Sequence, residues 1–139
     1  NLDFIDSDLV IQKQMGAKLS QLLDERGDEG FRAIENRINA ELIAEDSVIA
    51  TGGSVVYSEK AMAHLKAMGK VVYLNLTFEE MDRRLGDLHA RGVAIAPGST
   101  LQDLYDERTP LYEKYADITV NIINGNSVRQ SLQNLLGQL

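Results

Sequence analysis

Four short, continuously apolar segments constrain this chain most. They are Leu2-Asp3-Phe4-Ile5, Val48-Ile49-Ala50, Val71-Val72-Tyr73-Leu74 and Ile118-Thr119-Val120-Asn121-Ile122. Stretches of helical periodicity separate them. Apolarity that runs on without alternating predicts strands buried on both faces, and strands that alternate with helices predict a parallel sheet in an α/β layer fold. The clearest amphipathic helix covers residues 28–45, where Phe31, Ile34, Ile38 and Leu42 recur at spacings of three or four.

Helix starts are marked by hydroxyl residues followed three positions later by Glu or Gln. Thr77 with Glu80, Ser99 with Gln102, and Ser127 with Gln130 each fit a capping box. Thr109-Pro110 reads as another start, with Pro110 in the first helical position, where a missing amide hydrogen does no harm. Residues 86–99 hold Arg91-Gly92 and Pro97-Gly98 without a strong period, and read as an irregular, mobile segment.

A length of 139 residues with 44% hydrophobic and 25% charged residues fits one ordinary domain over residues 1–139. Fourteen Lys and Arg against twenty-one Asp and Glu leave a net charge of -7, which argues against a general binder of phosphate backbones, so no nucleic-acid partner is expected. With no cysteine, the chain has no thiolate nucleophile, Cys-ligated zinc or iron–sulfur cluster. No apolar run approaches the roughly 20 residues of a membrane span, so no membrane partner is expected and a cytoplasmic location is the default. The chain opens at Asn1 inside an apparent strand, without an initiator Met, and reads as part of something longer.

In open parallel sheets, ligands bind beyond the carboxyl ends of the strands. The first strand runs there into Asp6-Ser7-Asp8 and the second into Thr51-Gly52-Gly53-Ser54. Two acids one residue apart can bind a metal, accept a hydroxyl proton or cap the following helix. Arg32, Arg91 and Arg108 read either as solvated charges or as bidentate clamps for carboxylate or phosphate. His64 and His89 lack a second ligand nearby and do not read as a metal site. The four methionines read as core filler.

Taken together, Phe4-Ile5-Asp6-Ser7-Asp8, Gly30-Phe31-Arg32-Ala33-Ile34-Glu35, Val48-Ile49-Ala50-Thr51-Gly52-Gly53, Arg83-Arg84-Leu85 and Glu107-Arg108-Thr109-Pro110-Leu111-Tyr112 resemble the shikimate kinase family in content, order and spacing. The resemblance implies a three-layer P-loop kinase-like (nucleoside-monophosphate-kinase-like) fold, a parallel sheet flanked by helices. It implies ATP-dependent phosphorylation of the shikimate 3-hydroxyl, with ATP and Mg2+ as cofactors. By the same resemblance, Asp8 holds the shikimate hydroxyls and orients the one that attacks. Arg32 and Arg108 grip the carboxylate, and Gly53, flanked by Gly52, offers a backbone amide. Asp6 acts around magnesium through water, Arg84 lies against the adenine, and Glu35 steadies Arg32. Arg91 comes from a lid over residues 86–101 to meet the transferring phosphate.

The sequence departs from the family pattern in three places. The phosphate loop G-x-x-x-x-G-K-[ST] does not occur within the 139 residues; Gly69-Lys70 fails it, with His64 at the first Gly position and Val71 at the Ser/Thr position. The first central strand of the family fold is expected to be missing with that loop, leaving unpaired backbone groups in the sheet, and these residues alone are not expected to transfer phosphate from ATP. Ser54 stands where the family usually has a third Gly, and Arg91-Gly92 where Arg-Pro is common. Two rival readings follow: a non-catalytic shikimate-binding remnant, and a kinase for a different small hydroxy-acid.

Overall fold

The computed structural model describes residues 1–85, 93, 95–123, 125 and 127–139. Its strands are β1 (Asp3–Asp6), β2 (Ser47–Ala50), β3 (Val72–Asn75) and β4 (Ile118–Asn121). Its α-helices are α1 (Ser7–Met15), α2 (Leu19–Glu41), α3 (Glu59–Met68), α4 (Phe78–Leu85), α5 (Leu101–Tyr115) and α6 (Val128–Leu136). All four strands fall within a residue or two of the apolar segments that predict them.

Pairing is parallel throughout, as expected, and each pair is joined by a helical crossover, which parallel strands require. β1 pairs with β2 in the register Asp3↔Ser47 to Asp6↔Ala50, and β3 with β4 in the register Val72↔Ile118 to Asn75↔Asn121. Among the described residues these are two separate two-stranded ladders. The expectation of strands buried on both faces fails in consequence. Val120 is fully buried, whereas Phe4 is 69% exposed, Val48 49% and Leu74 52%. A two-stranded ladder has too few neighbours to cover both its faces.

Two cores hold the elements. The first joins Ile11 of α1 to Leu19, Leu22, Phe31 and Ile38 of α2. Between these apolar groups α2 kinks at Gly27, whose φ of 66° is left-handed and suits a residue without a Cβ. The amphipathic face predicted from residue 28 is the second half of this helix, which stops at Glu41 rather than 45. The second core packs Val55 and Val56 against Ala61 and Met62 of α3, with Leu111, Tyr112 and Tyr115 of α5 alongside. Lys66 pins the start of the β3–β4 ladder through Asp117 at 2.8 Å, and the same carboxylate accepts the Val71 amide at 2.8 Å.

Helix caps follow the sequence in part. Ser127 and Gln130 form the expected box at α6. At α4 the Glu80 amide donates to Thr77 Oγ1 at 3.3 Å, the first half of the expected box, and the Glu80 carboxylate also accepts from Arg83 and Arg84. At α5 the box forms one residue later than expected, from Thr100 and Asp103. Thr109-Pro110 is not a helix start; Pro110 lies inside α5, and Thr109 Oγ1 donates to the Tyr105 carbonyl at 2.7 Å. Because α5 already begins at Leu101, the proline is accommodated within an established helix. His64 donates to the Leu42 carbonyl at 2.6 Å, a structural bond between α3 and the end of α2.

Candidate active site

The carboxyl ends of β1 and β2 open on one side, where α1 starts and where a five-residue 3-10 turn, Gly53–Tyr57, follows β2. A cavity of about 210 Å³ lies there. Asp8, Glu35, Gly52, Gly53, Ser54 and Arg108 supply its polar wall, with Leu19, Phe31, Leu85 and Val93 as the apolar part. Residues as far apart in the chain as Asp8 and Arg108 thus meet at one small polar cleft, the usual geometry of a small-molecule site.

Asp6 ends β1 and caps α1, its Oδ1 accepting from the amides of Asp8 at 2.9 Å and Leu9 at 3.4 Å. Both bonds use the same oxygen. Asp8, two residues on, is half-buried, and its carboxyl is pushed above the usual aspartate range, first by burial and then by the negative charge of Asp6. Among the described residues no group of three or more His, Cys, Asp or Glu is placed to hold a metal. The Asp6–Asp8 pair nonetheless offers hard oxygen donors of the kind that suits magnesium retaining its waters.

Glu35 is only 2% exposed. Burial pushes its carboxyl upward and the neighbouring Asp8 adds to this, while a hydrogen bond donated by Ser54 Oγ and the charges of Arg108 and Arg32 oppose it. Gly52 lies against both acids, since a Cβ there would stand 3.1 Å from Asp8 Oδ1 and 3.1 Å from Glu35 Oε2. Gly53 faces the other wall: a Cβ there would meet the Tyr112 hydroxyl at 2.6 Å and Arg108 Nη1 at 3.1 Å. A side chain at Gly53 would force a neighbour to move, and one at Gly52 would be tight against the two acids.

Arg108 projects from α5 and is buried to 7% exposure. One turn further on, Tyr112 receives its charge and its hydrogen bond, and donates in turn to the Gly53 carbonyl at 2.9 Å. Arg32, one turn before Glu35 on α2, lies with its guanidinium carbon 4.2 Å from the centre of the Tyr57 ring. It is not among the residues that line the cavity. Arg84 is drawn to Glu80 on its own helix, while the adjacent Leu85 reaches the cavity. Arg91, His89 and the rest of residues 86–92, with residue 94, lie outside the described residues.

Three contributors have no role in the sequence reading. Ser54 marks only a departure from a pattern there, yet it holds the buried Glu35. Tyr112 closes the contact between α5 and the glycine turn. Tyr57 sits beneath two arginines. Their roles depend on side chains meeting across elements, and no local spacing signals that; the Pro-Leu-Tyr run around Tyr112 is the nearest hint.

Comparison with known proteins agrees with this geometry. A family model described as shikimate kinase matches residues 1–139. A shikimate kinase of Haemophilus influenzae (strain PittEE) is 42% identical over 124 residues, covering 86% of this chain and 69% of that protein. One from Vibrio parahaemolyticus is 39% identical over 123 residues, covering 86% and 72%. Among solved structures, the shikimate kinase of Acinetobacter baumannii in complex with shikimate superposes with a TM-score of 0.83 at 30% identity, covering 99% of this chain and 80% of that one. The Aquifex aeolicus enzyme gives 0.73 at 29% identity, covering 99% and 83%. A whole-chain family match, close relatives and the P-loop kinase fold of the structural neighbours coincide, and the chain belongs to the shikimate kinase family.

Proposed function

We propose that the protein transfers the terminal phosphoryl group of ATP to the 3-hydroxyl of shikimate, and that the cleft described above is its acceptor half. The observation that carries this reading is the meeting of Asp8, the Gly52-Gly53 backbone and the buried Arg108 in one cavity of about 210 Å³, a size suited to a small polar acid. Phosphoryl transfer depends on positioning and on neutralising negative charge more than on covalent chemistry, and the cleft is built from those elements.

In this reading Arg108 and Arg32 hold the acceptor carboxylate through their donor forks. The Gly53 amide donates to the same molecule. Asp8 accepts from the acceptor hydroxyls and takes the proton of the attacking one as its new oxygen–phosphorus bond forms and the bond to ADP breaks. Burial raises the basicity of Asp8 towards that task. Asp6 would hold magnesium through water, and the ion would supply positive charge to offset that of the ATP phosphates. Arg84 lies against the adenine, and Arg91, from the segment 86–101, meets the transferring phosphate. Residues 1–139 act as one domain, in the cytoplasm.

The test is turnover of the full-length protein with ATP and shikimate, followed by release of ADP and by phosphorus NMR of the product. Formation of shikimate 3-phosphate supports the reading. Tight shikimate binding without turnover points instead to a binding domain, and turnover of other hydroxy-acids with shikimate inert points to a different acceptor. Either result overturns the proposal. Arg108→Ala should weaken shikimate binding about 10- to 100-fold, the cost of a lost charge-assisted bond.

A further inference from the structure

Two cations meant to grip one carboxylate repel each other while the site is empty, so something must hold them in register beforehand. The guanidinium carbons of Arg32 and Arg108 lie 4.2 Å and 5.4 Å from the centre of the same ring, that of Tyr57. Both are within the range of an attractive cation–π contact. Among the described residues neither arginine forms an ion pair, and the Nε of each is buried without a hydrogen-bond partner. The buried Glu35 carboxylate interacts electrostatically with both side chains, and the Tyr57 ring is the aromatic face they share.

Tyr57 is itself firmly placed. It ends the 3-10 turn that begins at Gly53; Val55 and Val56, before it, are core residues. Ser58, directly after it, donates its amide to Val55 and caps α3 through a bond from Ala61 at 3.1 Å. One short turn thus brings the glycine backbone to the cleft at one end and an aromatic ring to both arginines at the other. The Tyr57 hydroxyl is buried without a hydrogen-bond partner among the described residues. The ring, rather than the hydroxyl, is what engages its surroundings.

We propose that Tyr57 is a positioning residue for acceptor binding: its ring serves as a platform that sets Arg32 and Arg108 in place before the carboxylate arrives. The inference rests on the acceptor reading given above. By this account Tyr57 acts on binding of the acid and not on the chemical step.

The test uses Tyr57→Leu and Tyr57→Phe in the full-length protein, with shikimate titration by calorimetry, steady-state kinetics, and NMR of the arginine Nε–H resonances. In Tyr57→Leu the Kd and KM for shikimate should rise about tenfold, in keeping with loss of cation–π contacts. The kcat and the KM for ATP should stay within about twofold, while Tyr57→Phe restores wild-type binding. Unchanged shikimate affinity in Tyr57→Leu overturns the proposal. So does a variant that loses kcat and both substrates together, or a Phe variant as impaired as Leu. If the wild-type protein fails to bind shikimate, the acceptor reading falls by itself. The platform is then judged by the NMR alone: ring-shifted Arg32 and Arg108 signals that survive in Phe and vanish in Leu support it, and signals unmoved in Leu overturn it.

Discussion

Ser54 donates its hydroxyl to the buried carboxylate of Glu35, joining the turn after β2 to the middle of α2 across 19 residues of sequence. The bond holds a charge with little access to water, since Glu35 is 2% exposed and Ser54 6%. Ser54→Ala should cost about 1.5–3 kcal/mol of stability in urea unfolding, the worth of a hydrogen bond to a charged group. Its removal takes away a pull that lowers the Glu35 pKa, so NMR titration should find the carboxyl shifted further upward in the variant.

Gly53→Ala introduces a Cβ 2.6 Å from the Tyr112 hydroxyl, closer than the two can remain, and a tight 3.1 Å from Arg108 Nη1. Tyr112 cannot simply step aside, because it donates to the Gly53 carbonyl and its ring stacks on Tyr73 with centroids 5.2 Å apart. The displacement passes to Arg108. Shikimate affinity should fall about tenfold, the cost of misplacing one charge-assisted bond, while the thermal midpoint changes little.

Asp8→Asn should abolish turnover, with a loss of at least about 100-fold for a positioned base, and should stabilise the fold at neutral pH. The folded-state pKa of Asp8 is raised, so between the ordinary aspartate value of 3.8 and that raised value the folded state holds the proton more tightly than the unfolded state. Stability therefore declines as pH rises through this window, and the asparagine variant escapes the decline. Differential scanning calorimetry at pH 4 and pH 7 reads the difference. Asp6→Asn keeps a capping side chain but removes a negative neighbour, and should lower the Asp8 pKa.

Glu80 works in the opposite sense. Hydrogen bonds from Arg83 and then Arg84 hold its carboxyl down from 4.5 to about 2. A depressed carboxylate contributes stability that is complete above the unfolded value and disappears as pH falls from about 4.5 towards 2. Glu80→Gln should lower the thermal midpoint at pH 7 and flatten its dependence on pH below 4.5. Equal midpoints for the two proteins at pH 7 would rule the contribution out.

Local pattern carried much of this protein. Continuous apolar runs placed β1 to β4, because β-branched and aromatic residues favour the extended backbone of a strand, although the burial on both faces that such runs predict did not follow. Periodicity placed the second half of α2, and Ser127-x-x-Gln130 marked the start of α6. The short motifs around Asp8, Arg32, Gly52-Gly53 and Arg108 are legible as those of a family, and Asp8, Gly52, Gly53 and Arg108 line one cavity, whereas Arg32 stands beside it and not in its wall. What sequence could not settle was whatever depends on competition between partners. Thr100 outcompeted Ser99 for the α5 cap, and the Glu80 carboxylate bonds two arginines on its own helix. Local spacing gives each side chain a set of neighbours it could reach; packing chooses among them. The Ser54–Glu35 bond, the Tyr112 bridge from α5 to Gly53, and the Tyr57 ring beneath Arg32 and Arg108 exist only because distant segments are brought together, and that is settled by the tertiary structure.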